Sequence, residues 1–235
     1  MRGPLDVAAA LAEAVRDVKD PQGLDASLQT IVMVARDSLP DVEHVGISLT
    51  YPDGALETRA SSAPFVVELD RLQHELGEGP ALQALAGEPI VRVAPAATEV
   101  RWPRYTPEAV RRGVRSQVVV RLHAEGRTLG ALNACSVSSD VVSPETERTV
   151  EIFAAHASLV LGHARQVENL NTALASRRVI GLALGLVMER HDLDEDTAFA
   201  YLTRISATTQ TKLREVAVTI VAEHHARVSL EVRPA

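Results

Sequence analysis

The chain has 235 residues, of which 46% are hydrophobic and 23% are charged, and its formal net charge is −7. This is ordinary globular composition with enough apolar residues for two cores, and the acidic balance argues against a general nucleic-acid coat protein. Cys135 is the only cysteine, which excludes an internal disulfide and a cysteine-based structural zinc site and fits a reducing compartment.

Residues 1–136 alternate between helical and strand patterns. Amphipathic helices are predicted over Leu5–Val18 and Leu24–Leu39, and acids within the first argue against a signal peptide. Strand patterns occur at His44–Tyr51, which the turn Pro52-Asp53-Gly54 follows, and later at PIVRV, SQVVVRLHA and TLGALNACSV. Short helices are predicted between them. Such an order predicts an α+β fold with an antiparallel sheet and helices on one side of it.

A long helix is predicted from Pro144 to near His191, with Ser143 as its N-cap. A stripe of its residues is spaced 4-3-4-3-4-3, which is the heptad pattern of a parallel dimeric coiled coil: Phe153, Ala157, Val160, Ala164, Val167, Asn171 and Leu174. Asn171 is the type of lone polar residue that fixes register in such coils. The alternative is that this stripe packs on the chain's own domain.

The remaining sequence has the pattern helix, turn, helix, turn, helix. We expect a break at His191–Leu193, an N-cap at Asp194, a second break at Ser206–Thr208, and a third helix capped by Thr208 or Thr209. Residues 170–235 hold 8 basic and 8 acidic residues, whereas residues 1–169 hold 16 and 23 and thus carry the whole net charge of −7. The three helices provide an all-α core and leave little for an enzyme site.

Four motifs follow one another in an ungapped run from Leu174 to Val221: SRRVIGLALGLVM, AFxxL at Ala198–Leu202, Ser206, and KLREVA at Lys212–Ala217. They resemble the ANTAR family of RNA-binding transcription antitermination regulators. The resemblance implies that this part binds tandem hairpins of a leader transcript through cations and hydrogen-bonding side chains, namely Arg177, Arg178, Arg204, Gln210, Thr211, Lys212 and Arg214.

The chain departs from the ANTAR pattern at Leu184, where the family usually has Lys, and at Gln210, where it usually has Asn. The loss of one Lys removes about one phosphate contact. The alternative interpretation is therefore a dimeric sensor or interaction protein whose degenerate ANTAR module no longer binds RNA.

Four further motifs occur in order within residues 7–162: GEGP (Gly77–Pro80), RWP (Arg101–Pro103), GVRS (Gly113–Ser116) and GALN (Gly130–Asn133). Together they resemble a GAF domain of the type joined to ANTAR modules in actinobacterial regulators. GAF domains are small-molecule or redox sensors, so the resemblance implies a ligand pocket lined by Trp102, Tyr105, Ser116 and Asn133. The alternative for Trp102 is a core aromatic residue.

We expect no cofactor, no metal and no enzymatic activity. Ala81 stands where related domains frequently have Cys, and no nucleophile elbow, phosphate loop or paired metal motif occurs. No uninterrupted apolar run approaches the ~20 residues of a membrane span. The expected protein is cytoplasmic, with a GAF domain over 1–163, a helical linker over 164–175, an ANTAR domain over 176–225 and a tail over 226–235. Its expected partners are RNA, a second copy of the chain and an unknown small molecule at the GAF domain.

Overall fold

A computed structural model of the chain describes residues 21–51 and 55–231. The predicted helix Leu5–Val18 and the predicted turn Pro52–Gly54 lie outside these described residues. The chain divides into two compact units, Met1–Gln166 and Val167–Ala235. The boundary between them falls inside one long helix, Pro144–His191.

The first unit is built on an antiparallel sheet of five strands in the order β2-β1-β5-β4-β3. The strands are β1 (His44–Thr50), β2 (Leu56–Ser61), β3 (Ile90–Val93), β4 (Ser116–Ala124) and β5 (Arg127–Ser136). The helices are α1 (Pro21–Ser38), α2 (Pro64–Leu76), α3 (Pro80–Leu85), α4 (Tyr105–Arg111) and the beginning of α5 (Pro144–His191). This confirms the predicted α+β fold.

Helices cover both faces of this sheet, so the expectation of helices on one side is wrong. Successive side chains of a strand point to opposite faces. Val118 and Val120 of β4 therefore lie in one core with Leu28 of α1 and Phe153 of α5, whereas Val119 lies in a second core with residues of α2, α3 and α4. Strands β4 and β5 contain long runs of buried residues because both faces of the sheet are covered.

Helix α5 begins at the predicted cap, because Ser143 Oγ accepts a hydrogen bond from the Thr146 N–H at 3.0 Å. It ends before Asp192, whose φ is 50°. By length and composition an 18-residue stretch of α5, with a mean hydropathy of 1.2, is apolar enough to cross a membrane. A single helix of this kind is weak evidence for a membrane span. Helix α5 supplies Phe153 to the core of the first unit and Val187 to that of the second.

The second unit contains the end of α5 and two further helices, α6 (Glu195–Thr209) and α7 (Leu213–Glu231). Its small core includes Ala183 and Val187 of α5, Leu202 of α6 and Ala217 of α7. Asp194 accepts a hydrogen bond from the Thr197 N–H at 2.8 Å, which confirms the predicted cap of α6.

The break predicted at Ser206–Thr208 is wrong, since α6 continues to Thr209. The hydroxyls of Thr208 and Thr209 donate to helix carbonyl oxygens one turn earlier, both at 2.8 Å, so these side chains are satisfied inside the helix. The break lies instead at Gln210, whose φ is 52°. Helix α7 consequently begins at Leu213, later than predicted, and extends to Glu231, into the segment predicted as a tail.

Gly130 of the GALN motif lies where β5 passes very close to β1. A Cβ at this position would lie 2.0 Å from the carbonyl oxygen of Ser48. We therefore expect Gly130→Ala to destabilise the first unit by about 3 kcal/mol, since backbone must move to admit the methyl group. Urea unfolding followed by the fluorescence of Trp102, the only tryptophan and a buried residue of this unit, measures the loss.

The matched control is Gly185→Ala in the second unit. A Cβ at Gly185 meets nothing within 4 Å, and alanine favours a helix by about 1 kcal/mol over glycine. Trp102 reports on the first unit and Gly185 belongs to the second, so the midpoint reported by Trp102 should be unchanged in this variant. An unchanged midpoint in Gly130→Ala would contradict the close approach of the two strands.

Candidate functional site

A buried carboxyl group, Asp70, lies at the sheet face that α2, α3 and α4 cover. It shares the buried side of α2 with Gln73. Its Oδ2 accepts hydrogen bonds from the hydroxyls of Ser48 and Thr58, the latter at 3.0 Å. Its Oδ1 accepts from Asn133 Nδ2 at 3.3 Å and from Gln73 Nε2 at 3.4 Å. Four donors thus satisfy the carboxyl oxygens away from water.

Further side chains extend these contacts across the sheet. Gln117 Nε2 donates to Asn133 Oδ1 at 2.7 Å, and the Tyr105 hydroxyl donates to Gln117 Oε1 at 3.1 Å. At the other end, the Ala81 N–H donates to Gln73 Oε1 at 2.7 Å. Hydrogen bonds in such a buried place are strengthened by the low dielectric constant, so they tie three helices to the sheet. We call this set the polar cluster: Ser48, Thr58, Asp70, Gln73, Tyr105, Gln117 and Asn133.

The electrostatics of the polar cluster favour uncharged groups. Burial raises the pKa of Asp70 above its ordinary value of 3.8, although the hydrogen bonds from Ser48, Thr58 and Asn133 act in the opposite direction. Burial also raises the pKa of the Tyr105 hydroxyl and of the Cys135 thiol. The raised pKa means that the folded domain holds a proton at Asp70 more tightly than an exposed carboxyl group would.

Three of the four predicted pocket residues lie at this face, namely Trp102, Tyr105 and Asn133, and all three are buried. Trp102 contacts Tyr105 edge-on, with 6.4 Å between ring centroids, and belongs to the core, as in the alternative interpretation. The placement of Ser116 with them is wrong. Ser116 lies two residues before Val118, so both side chains are on the opposite face of β4. The Ser116 hydroxyl donates to the Ser139 carbonyl oxygen at 2.8 Å.

Sequence reasoning missed Asp70, Gln73 and Gln117. The signal was present in α2, where the buried positions include Val66 and Leu69 together with Asp70 and Gln73. A carboxylate and an amide on the apolar face of an amphipathic helix indicate a buried hydrogen-bond network, because neither group is tolerated there without partners.

Glu78 of the GEGP motif contacts Arg104, the residue that follows the RWP motif, at the end of α2. Glu78 accepts hydrogen bonds from the Arg104 backbone N–H at 2.9 Å and from Arg104 Nε at 2.8 Å, which lowers the pKa of Glu78. The guanidinium of Arg101 lies 4.4 Å from the centre of the Trp102 ring and is paired with Glu99. These motifs therefore hold the loop before α4 against the domain.

Part of the predicted coiled-coil seam belongs to the core of the first unit. Phe153, Ala157 and Val160 have no exposed surface and pack with residues of α1 and of the sheet. Their assignment to an interface between two chains is wrong, because the apolar stripe covers the chain's own sheet. Farther along α5, Ala164 and Val167 are half-buried, and Asn171 and Leu174 are exposed.

The cations predicted to contact RNA are exposed in the second unit: Arg177, Arg178, Arg204, Lys212 and Arg214. Among the described residues, every ion pair lies between Asp25 and Glu147, in the first unit. Arginines of the first unit are largely paired with carboxylates, whereas these five cations of the second unit have no ion-pair partner among the described residues.

Four predicted RNA-contacting residues come together at the turn between α6 and α7. Thr211 N–H donates to the Ser206 carbonyl oxygen at 3.1 Å, and the Ser206 hydroxyl donates to the Thr211 carbonyl oxygen at 2.6 Å. This reciprocal pair fixes the turn, from which the exposed Gln210 side chain extends. Lys212 and Arg214 follow at the N-terminus of α7, where unpaired backbone N–H groups and the helix dipole favour an anion.

The remaining three lie on other helices. Arg204 lies on α6, with its guanidinium 5.8 Å from the centre of the Tyr201 ring. Arg177 and Arg178 lie on α5, next to the core residues that begin at Val179. Among the described residues, no hydrogen bond or ion pair connects them with the turn before α7.

No group of three or more His, Cys, Asp or Glu side chains within residues 21–51 and 55–231 is arranged to hold a metal ion. Cys135 is buried in β5.

A family model of the GAF domain matches residues 21–162, and one of the ANTAR domain matches residues 168–221. A search of curated protein sequences found no match. Both matched ranges follow the two compact units, since the first ends before Gln166 and the second begins after it.

Solved structures similar to this chain include GAF domains. The phycoerythrobilin-bound GAF domain of a cyanobacterial phytochrome has a TM-score of 0.54 and 14% identity, over 70% of this chain and 98% of that one. The GAF domain of a phosphoenolpyruvate-protein phosphotransferase from Coxiella burnetii has a TM-score of 0.52 and 17% identity, over 70% and 98%. Its counterpart from Acinetobacter has a TM-score of 0.50 and 20% identity, over 72% and 99%. The two matched domains, one sensory and one regulatory, together contain the described strands and most of the described helices. The chain therefore belongs to the GAF domain family and joins its GAF domain to an ANTAR domain.

Proposed function

We propose that the protein is a cytoplasmic, homodimeric transcription antitermination regulator, in which the GAF domain senses a signal and the ANTAR domain binds RNA. The RNA partner in this proposal is a pair of tandem hairpins in a leader transcript. The hairpins come from the ANTAR resemblance, and the matched domains support the general architecture of a sensor joined to an RNA-binding output.

The observation that carries this proposal is the set of exposed cations in the ANTAR domain that have no carboxylate partner among the described residues. Lys212 and Arg214 flank the N-terminus of α7, and Gln210 and Thr211 precede them in a turn fixed by Ser206. Cations and helix N-termini bind phosphates, while amide and hydroxyl groups hydrogen-bond to unpaired bases. One turn thus combines both kinds of contact, although the net charge of the domain is zero.

A second candidate is a sensor-type protein whose ANTAR domain serves dimerisation without RNA contact. The observation in its favour is Leu184, which is half-buried against the three-helix core at the position where the family usually has Lys. Here the position contributes to packing and makes no phosphate contact.

The sensory part of the proposal concerns the face of the GAF sheet that holds the polar cluster. A small molecule that enters beside Trp102, Tyr105 and Asn133 has to replace the hydrogen bonds that Tyr105 and Asn133 make with Gln117 and Asp70. We expect such a ligand to carry hydrogen-bond donors and acceptors that match those of Tyr105, Gln117, Asn133 and Asp70.

Titration of the intact protein with a fluorescent dual-hairpin RNA at several salt concentrations tests the RNA-binding function. Five phosphate contacts for each domain predict a slope of log K against log salt of about −3.5, at about 0.7 per contact with single strands. A fully paired duplex of equal length is the control, since its bases are not accessible to Gln210 and Thr211. Binding that is insensitive to salt, or equal for hairpins and duplex, contradicts the proposal and favours the second candidate.

A further inference from the structure

Helix α6 carries an exposed aromatic ring that the packing of the second unit does not use. Phe199 is 47% exposed, although Ala198 and Leu202 on the same helix have no exposed surface. The chain has three phenylalanines, of which Phe153 is fully buried and Phe65 packs against a core of the first unit. Among the described residues, the core of the second unit does not include Phe199. Its ring therefore offers a flat apolar face to a partner.

The ring lies on the same face of α6 as the turn that is proposed to contact RNA. Phe199, Thr203, Ser206 and Gln210 are spaced 4-3-4, which places them along one face of a helix. Thr203 Oγ1 donates to the Phe199 carbonyl oxygen at 2.9 Å, and the Ser206 hydroxyl fixes the turn. At about 1.5 Å per residue, Phe199 and Gln210 are about 16 Å apart along the helix. This separation corresponds to about five nucleotides at a stacked spacing of about 3.4 Å, so one hairpin loop reaches both residues.

Two acidic side chains flank the ring and determine which chemical groups fit beside it. Glu195 and Asp196 lie one turn before Phe199, at i−4 and i−3, so the three side chains are neighbours on the helix surface. Both acids are exposed, and neither has an ion-pair partner among the described residues. Two carboxylates repel a phosphate group at this place. They accept hydrogen bonds from amino groups, which adenine, cytosine and guanine carry on their edges.

We propose that Phe199 stacks on an unpaired base of the RNA hairpin loop, and that this base carries an exocyclic amino group. The inference rests on the proposed RNA-binding function and adds a stacking contact to it. Aromatic side chains bind unpaired bases by stacking, and removal of such a ring lowers affinity by about 5- to 150-fold. A cationic protein segment would also fit a ring between two carboxylates, so the test has to vary the RNA as well as the protein.

Substitution of the ring in the full-length protein is the first test. Fluorescence anisotropy with the dual-hairpin RNA should show that Phe199→Ala weakens binding at least about fivefold. Phe199→Tyr is the matched control at the same site and should bind within about twofold of the wild type, because it keeps the ring. The slope of log K against log salt should be equal in all three proteins, since no phosphate contact is lost. Equal affinities of Phe199→Ala and wild type overturn the stack, and so does an equal loss for Phe199→Tyr.

Abasic substitution in the RNA identifies the stacked base. One unpaired loop nucleotide at a time is replaced by an abasic residue, and the affinities of wild type and Phe199→Ala are compared. At the stacked position the abasic RNA should lose at least about fivefold with the wild type and at most about twofold with Phe199→Ala, because both changes remove the same contact. Losses that add at every loop position overturn the stack. Circular dichroism verifies that the helices of the variant are retained.

The acidic neighbours are tested by the identity of that base. Uracil at the stacked position should bind the wild type more weakly than cytosine, because uracil has no exocyclic amino group. The double variant Glu195→Gln, Asp196→Asn should reduce this difference, since amides also donate hydrogen bonds. Equal binding of the two bases by the wild type overturns the preference for an amino group. A wild-type protein that does not bind the dual-hairpin RNA overturns the RNA-binding function as well, whereas additive losses overturn this contact alone.

Discussion

Replacing Lys212 and Arg214 together by alanine is expected to weaken RNA binding about 25-fold at 0.1 M salt for each ANTAR domain. Two lost phosphate contacts lower the magnitude of the salt slope by about 1.4, and the affinities of the two proteins should converge toward 1 M salt. Both side chains are exposed at the N-terminus of α7, so the fold should persist. Fluorescence anisotropy with the dual-hairpin RNA measures the change.

The control for this double variant removes the same charge from the other domain. Arg127 and Arg148 are exposed in the GAF domain, and their joint replacement by alanine should change affinity less than about twofold if binding is local to the ANTAR surface. Similar losses in the two double variants indicate a general effect of net charge. If the Lys212→Ala, Arg214→Ala double variant loses no RNA affinity, these two residues do not contact the RNA.

The second large effect is expected at Asp70. Asp70→Leu removes the acceptor for Ser48, Thr58, Asn133 and Gln73, and buried donors without acceptors cost about 3 to 5 kcal/mol in such a network. Asp70→Asn should retain the fold. Its Oδ1 still accepts from the two amides, and its Nδ2 donates to the two hydroxyls, which then act as acceptors.

These variants also differ in their dependence on pH. Burial raises the pKa of Asp70 in the folded protein, so the folded state holds this proton more tightly than the unfolded chain. The resulting stabilisation is complete below about pH 3.8, the ordinary value, and is lost as the pH rises through the raised pKa, at up to about 1.4 kcal/mol per pH unit. Asp70→Asn lacks this titration, so its stability relative to wild type should increase with pH over that window.

Urea unfolding at a series of pH values, followed by Trp102 fluorescence, measures the difference. Val67→Ala on the exposed side of the same helix is the control: neither side chain titrates, so its profile should run parallel to that of the wild type. Parallel profiles for Asp70→Asn and wild type contradict a proton held at Asp70.

The order of helices and strands could be predicted because hydrophobic periodicity and capping residues act locally. Ser143 and Asp194 cap helices as expected, since the hydrogen bonds they accept reach only three residues along the chain. The end of α6 could not be predicted from composition. Thr208 and Thr209 have low helix propensity, yet their hydroxyls bond to the preceding turn and the helix continues to Thr209.

The functional surfaces were harder to predict, for a different physical reason. A heptad pattern has the same form whether the apolar stripe faces a sheet or a second helix, and only packing distinguishes the buried Phe153 from its exposed neighbour Ile152. The polar cluster joins Asp70 with Asn133, which are distant in sequence, so its hydrogen bonds leave no local pattern. The motifs around Lys212 were recognisable because their residues are adjacent in the chain.

The burial of Cys135 provides a way to search for the ligand that the GAF domain senses. A thiol with no exposed surface in the central strand reacts with a labelling reagent only when that strand is released, so the labelling rate in native buffer reports how often the domain opens. A compound that binds the closed domain slows labelling by the factor 1 + [L]/Kd. Metabolites of any chemical class can therefore be ranked by the protection they give to one sulfur atom.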